Sequence, residues 1–227
     1  AYYYRALCLR QNASADRAGQ KVYRAAAGML DNPEAFATQQ VKKNLESAVT
    51  INPDLLDARI RLAEIYLSEK DAEKAEKQIR QVYRLAPKRE KTVMLIAGLK
   101  VLKGETEQAV RMLEKLASDN PDHFRVHARL GLLYMEAGKS GQAVQTLEKA
   151  YLMEPSALGL LEIIAGIYMD SGRYQQAYDI IEKYMKATDE KAAASLENLK
   201  GEIMFRHGKI ENALHHFKNA RSLNPEL

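Results

Sequence analysis

The chain has 227 residues, of which 46% are apolar and 28% charged, and its formal net charge is +4. This composition is typical of a soluble protein and predicts no nucleic-acid surface, because no dense Lys/Arg block is interleaved with aromatic residues. No apolar run approaches the ~18 residues of a membrane span. The single cysteine excludes an intramolecular disulfide and is compatible with the cytoplasm and with a bacterial periplasm.

Residues 1–53 are predicted to contain divergent helices. Residues 1–10 resemble the end of a helix, 15–30 form an Ala-rich helix candidate, and 34–51 form the next one after Asn32-Pro33. Because proline cannot continue a helix that precedes it, residues 15–51 are predicted to form an atypical helix hairpin.

From about residue 54 the sequence repeats every 34 residues. An aliphatic residue followed by a small one marks each first segment, a tyrosine follows in most units, and alanine and proline mark each second segment. The repeated positions include Leu62, Ile96, Leu130 and Ile164; Tyr66, Tyr134 and Tyr168, interrupted by Lys100; Ala75, Ala109, Ala143 and Ala177; Ile79, Leu113, Leu147 and Ile181; and Pro53, Pro87, Pro121 and Pro155. Such a period with helical spacing inside each unit predicts stacked helix–turn–helix hairpins.

These positions resemble those of the tetratricopeptide repeat (TPR) family. The resemblance implies an all-α, right-handed superhelical solenoid with hairpins at about 54–87, 88–121, 122–155, 156–189 and 190–227. It also implies that small residues such as Gly131 and Ala143 let the two helices of a hairpin approach closely. The abrupt ends of the pattern suggest a fragment of a longer repeat array.

The last hairpin departs from this pattern. It runs two residues late, and Lys200 occupies the position of a large aliphatic residue, for which Leu199 is a possible substitute. The missing proline and the shift predict a longer loop over residues 186–193, with a bend of the stack there.

The motifs that imitate chemical sites have simpler structural interpretations. Gly138-Lys139-Ser140 resembles the end of a phosphate-binding loop, but it lies between two predicted helices and lacks the upstream glycine, so we interpret it as a helix stop. His123 and His127 share a helix face without two further ligands, which favours packing over a zinc site. No catalytic constellation, cofactor site or metal site is predicted.

In TPR arrays, ligands commonly bind the concave surface formed by the first helices. Helical spacing assigns fifteen lining residues: Ile60, Glu64, Leu67, Met94, Gly98, Val101, Ala128, Leu132, Met135, Glu162, Gly166, Met169, Asn198, Glu202 and Phe205. Most are apolar, which suits an amphipathic helix or an extended hydrophobic segment. A clamp for a C-terminal carboxylate is not predicted, because Asn198 is the only candidate, and Lys91, Arg125 and Arg129 do not reproduce its pattern.

The sequence therefore predicts a non-catalytic scaffold that binds a protein or peptide partner in an apolar groove. Coverage of the same residues by neighbouring helices or by a second copy is the alternative for this surface, so a homo-oligomer is possible. Two other functions are open: a structural segment of a larger bacterial envelope, secretion or polysaccharide assembly, and a regulatory domain of a larger protein.

Overall fold

The structure is a computed structural model that describes residues 33–185 and 190–224. Within that part of the chain it contains eleven α-helices and no strand. The helices are α1 (Pro33–Ile51), α2 (Leu56–Ser68), α3 (Ala72–Leu85), α4 (Glu90–Leu102), α5 (Thr106–Asp119), α6 (Phe124–Glu136), α7 (Ser140–Met153), α8 (Gly159–Asp170), α9 (Tyr174–Met185), α10 (Glu190–Arg206) and α11 (Ile210–Leu223).

The helix pattern agrees with the 34-residue period. Helices α1, α3, α5 and α7 each end two residues before a repeated proline, where the proline ring disfavours helical backbone in the residue preceding it. Helix α1 confirms the helix expected at 34–51. The helices expected at 1–10 and 15–30 lie outside the described residues.

The junction before the last hairpin is more helical than the sequence predicted. Residues 186–193 were assigned to a loop, but α10 already begins at Glu190. Its first turns contain Ala192, Ala193 and Ala194, and alanine is the residue with the highest helix propensity. The local sequence therefore extends the helix toward its N-terminus.

The chain divides into two compact units, with the boundary between Met112 and Leu113 inside α5. In unit 1 (residues 1–112), α2 packs against α1, α3 and α4. Its core contains Leu45, Leu62, Ala63, Ala75 and Val82, each at most 2% exposed. The expected division of the chain at residue 53 stays a prediction.

In unit 2 (residues 113–227), each helix from α6 to α11 packs against the next one in sequence. Leu147, Ile164 and Ile181, three of the repeated aliphatic positions, are fully buried. The apolar periodicity therefore marks the core of this unit. Within the described residues of the whole chain, no helix is both long and apolar enough to cross a membrane.

The turns inside the hairpins share one backbone conformation. Gly104, Gly138, Gly172 and Gly208 all have positive φ, between +68° and +80°. In the turn after α6, the Lys139 amide donates to the Tyr134 carbonyl oxygen over 2.8 Å, which closes the helix end in the manner of a Schellman motif. The first such turn has Lys70 at the equivalent position, with φ +58°.

The close approach expected at the small first-helix residues is confirmed at Gly131. A Cβ atom there would lie 2.6 Å from Cγ of Leu147 and 3.2 Å from its backbone nitrogen. In the last hairpin, a Cβ at Gly201 would lie 2.5 Å from Cε1 of Phe217. Both glycines therefore allow the second helix of the hairpin to pack closely on the first.

Candidate partner-binding face

The predicted lining residues of unit 1 are largely covered by the unit itself. Ile60 is 3% exposed and Gly98 is buried. Glu64 forms ion pairs with Arg61 at 2.9 Å and with Lys91 at 3.1 Å. The three remaining predicted residues, Leu67, Met94 and Val101, are half-buried. This part of the predicted groove offers little free apolar surface.

The predicted residues of unit 2 are more accessible. Phe205 on α10 is 59% exposed and Met135 on α6 is 41% exposed, although both are large apolar side chains. Ala128 and Leu132, on the same side of α6 as Met135, are half-buried. We call the surface that carries these residues on α6, α8 and α10 the first-helix face of unit 2.

Polar side chains and a glycine complete this face. Glu162 on α8, and Asn198 and Glu202 on α10, are exposed. Gly166 lies one turn after Glu162, and a Cβ atom built on it would meet nothing within 4 Å. The missing side chain leaves open space at this position of α8, one turn after Glu162.

Met169 is the predicted lining residue of unit 2 that is not accessible. It is 5% exposed, and Nη1 of Arg206 lies 3.9 Å from its sulfur atom. The same guanidinium donates from Nη2 to Oδ1 of Asp170 at 3.2 Å. Met169 therefore belongs to the packing of α8 against α10.

A buried ionic cluster that the sequence analysis missed links the last three helices. Lys200 is 5% exposed, and its Nζ lies 2.7 Å from Glu182 on α9 and 2.9 Å from Glu197 on α10. Glu197 also accepts from Nδ1 of His216 at 2.9 Å and from Asn219 at 3.2 Å, both on α11. Of the adjacent residues His215 and His216 on α11, the first is exposed and the second is half-buried.

These contacts shift the pKa values of the two buried charges. Burial lowers the pKa of Lys200, but hydrogen bonds to Glu182 and Glu197 more than offset this, so the net shift is upward. Burial raises the pKa of Glu197, but the hydrogen bonds from His216 and Lys200 reverse the effect, and its pKa is lowered. Both groups are therefore charged at neutral pH, and the cluster holds α9, α10 and α11 together.

A second set of contacts joins successive hairpins through tyrosines. The Tyr66 hydroxyl donates to Glu46 at 2.6 Å, and the Tyr134 hydroxyl donates to Glu114 at 2.7 Å. Burial and this carboxylate raise the pKa of Tyr134 to about 12. A glutamate 20 residues before the tyrosine, at positions 46 and 114, is the sequence signal that marks these acceptors.

The residue 20 positions earlier also accounts for the lysine that interrupts the tyrosine series at position 100. The residue 20 positions before Lys100 is Arg80, where the other two pairs have glutamate. A lysine cannot pair with an arginine, and Lys100 instead contacts Glu105 at 2.8 Å. The donor and its acceptor therefore change together.

The motifs that imitate chemical sites have structural roles. Gly138 has φ +72° and ends α6, while Ser140 begins α7, so Gly138-Lys139-Ser140 is a helix stop. His127 is 4% exposed, and its Nε2 lies 2.9 Å from the carbonyl oxygen of Pro121. Burial lowers the pKa of His127. Within the described residues, no group of three or more His, Cys, Asp or Glu side chains could hold a metal ion.

The fold is shared with several solved structures at low sequence identity. PilW, a widely conserved type IV pilus biogenesis factor, aligns with a TM-score of 0.62 and 18% identity over 94% of this chain and 96% of that one. The putative kinesin light chain repeats of Podosopora anserina give a TM-score of 0.59 and 18% identity over 77% and 97%. The MamA protein gives 0.54 and 15% over 75% and 92%.

At these identities the likeness concerns the fold. No curated protein sequence matches the chain. The family model described as tetratricopeptide repeat matches residues 34–99 and 100–157, which together make up more than half of the sequence. The all-α helical-repeat fold is thereby confirmed, and the chain belongs to the tetratricopeptide repeat family.

Proposed function

We propose that this protein is a non-catalytic interaction scaffold that binds a segment of a partner protein on the first-helix face of unit 2. TPR repeats are typical of protein–protein interaction scaffolds. The observation that supports this face is the exposure of Phe205 and Met135 at the same repeat position of α10 and α6. A partner segment would remove both side chains from water.

The chemistry of the face suits a segment with large apolar side chains. Burying exposed apolar surface stabilises a complex by about 25 cal/mol per Å² before the costs of association. Methionine adapts its shape to different side chains, and an aromatic ring offers a rigid contact area. The open space beside Gly166 would admit a partner side chain or backbone.

Unit 2 is favoured over unit 1 as the binding site because several predicted lining residues of unit 1 are buried or already form ion pairs. Ile60 and Gly98 are buried, and Glu64 is already engaged by Arg61 and Lys91. A partner would have to displace these contacts before it could bind there. On unit 2, Glu162 and Glu202 form no ion pair within the described residues.

The proposal is tested by selecting peptides from a random 16-residue peptide library on the wild-type protein and measuring their affinities by fluorescence anisotropy. We expect Leu132→Glu with Met135→Glu to weaken binding of the selected peptides by about tenfold or more, because a carboxylate would be desolvated in an apolar contact.

Leu152→Glu is the matched control. Leu152 is 62% exposed but lies on α7, a second helix, so this variant should bind like wild type. Circular dichroism shows whether each variant is folded. Equal affinity of the folded double variant and the wild type would reject the proposed face.

Self-association as a structural segment is a second candidate, favoured by the outer surface of α11. Ile210 and Leu214 are 58% and 53% exposed, whereas Val144, at the repeat position of Leu214, is 7% exposed. Analytical ultracentrifugation distinguishes this candidate. It predicts that the mass of the wild type rises with protein concentration and that Leu214→Lys has a lower mass at the same concentration. A wild type that stays monomeric at all concentrations would contradict it.

A further inference from the structure

We infer, on the basis of the proposed function, that the partner segment is bipolar: the half that lies over α6 carries acidic residues, the half that lies over α8 and α10 carries basic residues, and large apolar residues occur in both halves. The first-helix face of unit 2 is itself bipolar. Its α6 portion carries two arginines, its α8 and α10 portions carry two glutamates, and Met135 and Phe205 are exposed apolar side chains on the same face.

The basic end consists of Arg125 and Arg129. Arg125, Ala128, Leu132 and Met135 are spaced by three, four and three residues along α6, which places them on one side of the helix. Arg129 lies one turn after Arg125 on the same side. Arg125 is exposed and Arg129 half-buried, and neither forms an ion pair within the described residues.

The acidic end consists of Glu162 on α8 and Glu202 on α10. Both are exposed, and neither forms an ion pair in the described part of the chain. Helices α8 and α10 pack directly against each other. Glu202 is equivalent in the repeat to Gly166, which lies one turn after Glu162.

The charges would act mainly on specificity. An exposed ion pair contributes only about 0.2–1 kcal/mol, but like charges brought together at an interface are unfavourable and exclude the wrong partner. A uniformly acidic or uniformly basic segment would meet repulsion at one end of this face. A bipolar segment satisfies both charge pairs while its apolar side chains cover Met135 on α6 and Phe205 on α10.

The test uses three synthetic 16-residue peptides with the same apolar residues in both halves: one with acidic residues in one half and basic residues in the other, one with acidic residues in both halves and one with basic residues in both halves. We expect wild type to bind the bipolar peptide about tenfold more tightly than either of the others in low salt. Arg125→Glu with Arg129→Glu makes the face uniformly acidic, and this variant should instead prefer the basic peptide. Glu162→Lys with Glu202→Lys should prefer the acidic one.

The combination of all four substitutions restores a bipolar face with its ends exchanged. Because the bipolar peptide can bind in the opposite direction, this variant should recover most of the affinity lost in either double variant. Lys149→Glu with Lys218→Glu is the matched control, since it changes the net charge as much as the arginine substitutions do, on the second helices α7 and α11.

The outcomes separate this inference from the proposed function. Equal binding of the three peptides, with loss in Leu132→Glu/Met135→Glu, would reject the bipolar partner and leave the proposed face intact. Binding that is insensitive to the Leu132 and Met135 substitutions would reject both. If wild type self-associates and the charge variants abolish this, the occupant is a second copy of the chain and the inference is wrong.

Discussion

The Nζ atom of Lys200 lies 2.7 Å from Oε2 of Glu182, across the contact between α10 and α9. In the preceding hairpins the position of Lys200 holds a large aliphatic residue, and in the hairpin directly before it Ile164 is fully buried. The last hairpin therefore attaches to its neighbour through a charge where the others use apolar packing. Glu197 anchors the same ammonium group from within α10 at 2.9 Å.

Removal of this ammonium group should destabilise unit 2. Lys200→Met keeps an apolar side chain in place but leaves Glu197 buried with His216 and Asn219 as its remaining donors. We expect the free energy of unfolding to fall by about 1–3 kcal/mol, less than for a carboxylate without other donors. Urea unfolding followed by circular dichroism measures the change.

Ile164→Met is the matched control for that variant. It places the same side chain at the same repeat position of α8, where no charge is lost, and should cost less than about 1.5 kcal/mol. Equal destabilisation by the two substitutions would show that the ionic cluster contributes nothing beyond side-chain volume.

The stability that Glu197 contributes should disappear in acid. Its pKa in the folded protein lies below the ordinary value of 4.5, so its contribution is full above pH 4.5 and is lost as the pH falls through the lowered value. The difference in unfolding free energy between wild type and Glu197→Gln should therefore be present at pH 5 and shrink below pH 4.5. A constant difference down to pH 3 for Glu197→Gln would contradict the lowered pKa.

Lys70 is expected to be a site where glycine stabilises the protein. Its φ is +58°, while four hairpins have glycine at the equivalent turn position. A side chain in this region costs about 1–2 kcal/mol, and glycine loses part of that gain through the entropy of its unfolded state. We expect Lys70→Gly to raise the unfolding free energy by about 0.5–1 kcal/mol in urea titrations. The reciprocal change Gly138→Lys should be destabilising. If both substitutions raised the unfolding free energy, the positive φ would not explain the effect at Lys70.

The two close-packed glycines should respond differently to alanine. At Gly131 the new methyl group meets the fully buried Leu147, including its backbone nitrogen, and overpacking should cost about 1–3 kcal/mol. At Gly201 the three nearest atoms all belong to the ring of Phe217, which is 36% exposed and can move. Alanine also favours helix by about 1 kcal/mol. We therefore expect Gly201→Ala to be close to neutral in thermal unfolding, and a larger loss there than in Gly131→Ala would be the contrary result.

The sequence was sufficient for the hairpins because the repeat imposes the same requirement on each copy. Pro53, Pro87, Pro121 and Pro155 mark helix ends, and the columns of Leu62 and Ala75 mark the core, so one unit predicts the next. Local composition was less reliable at the junction, where the alanines of α10 extended a helix into a segment assigned to a loop.

The polar contacts were not predictable from helical spacing alone. Lys200 looked like an exception to an aliphatic column, and its partners Glu182 and Glu197 lie on two different helices. Spacing also placed Met169 and Ile60 on the candidate face, but their exposure depends on the side chains that pack over them, such as Arg206 on Met169. The sequence signal that was missed is the glutamate at positions 46 and 114. It indicates a hydrogen bond only in combination with the tyrosine 20 residues later.

Hydrogen–deuterium exchange with a selected library peptide tests the central claim most directly. Peptide binding on the first-helix face of unit 2 should slow exchange in α6, α8 and α10 and leave α7, α9 and α11 unchanged relative to the free protein. Protection confined to those second helices, or to unit 1, would contradict the proposed face.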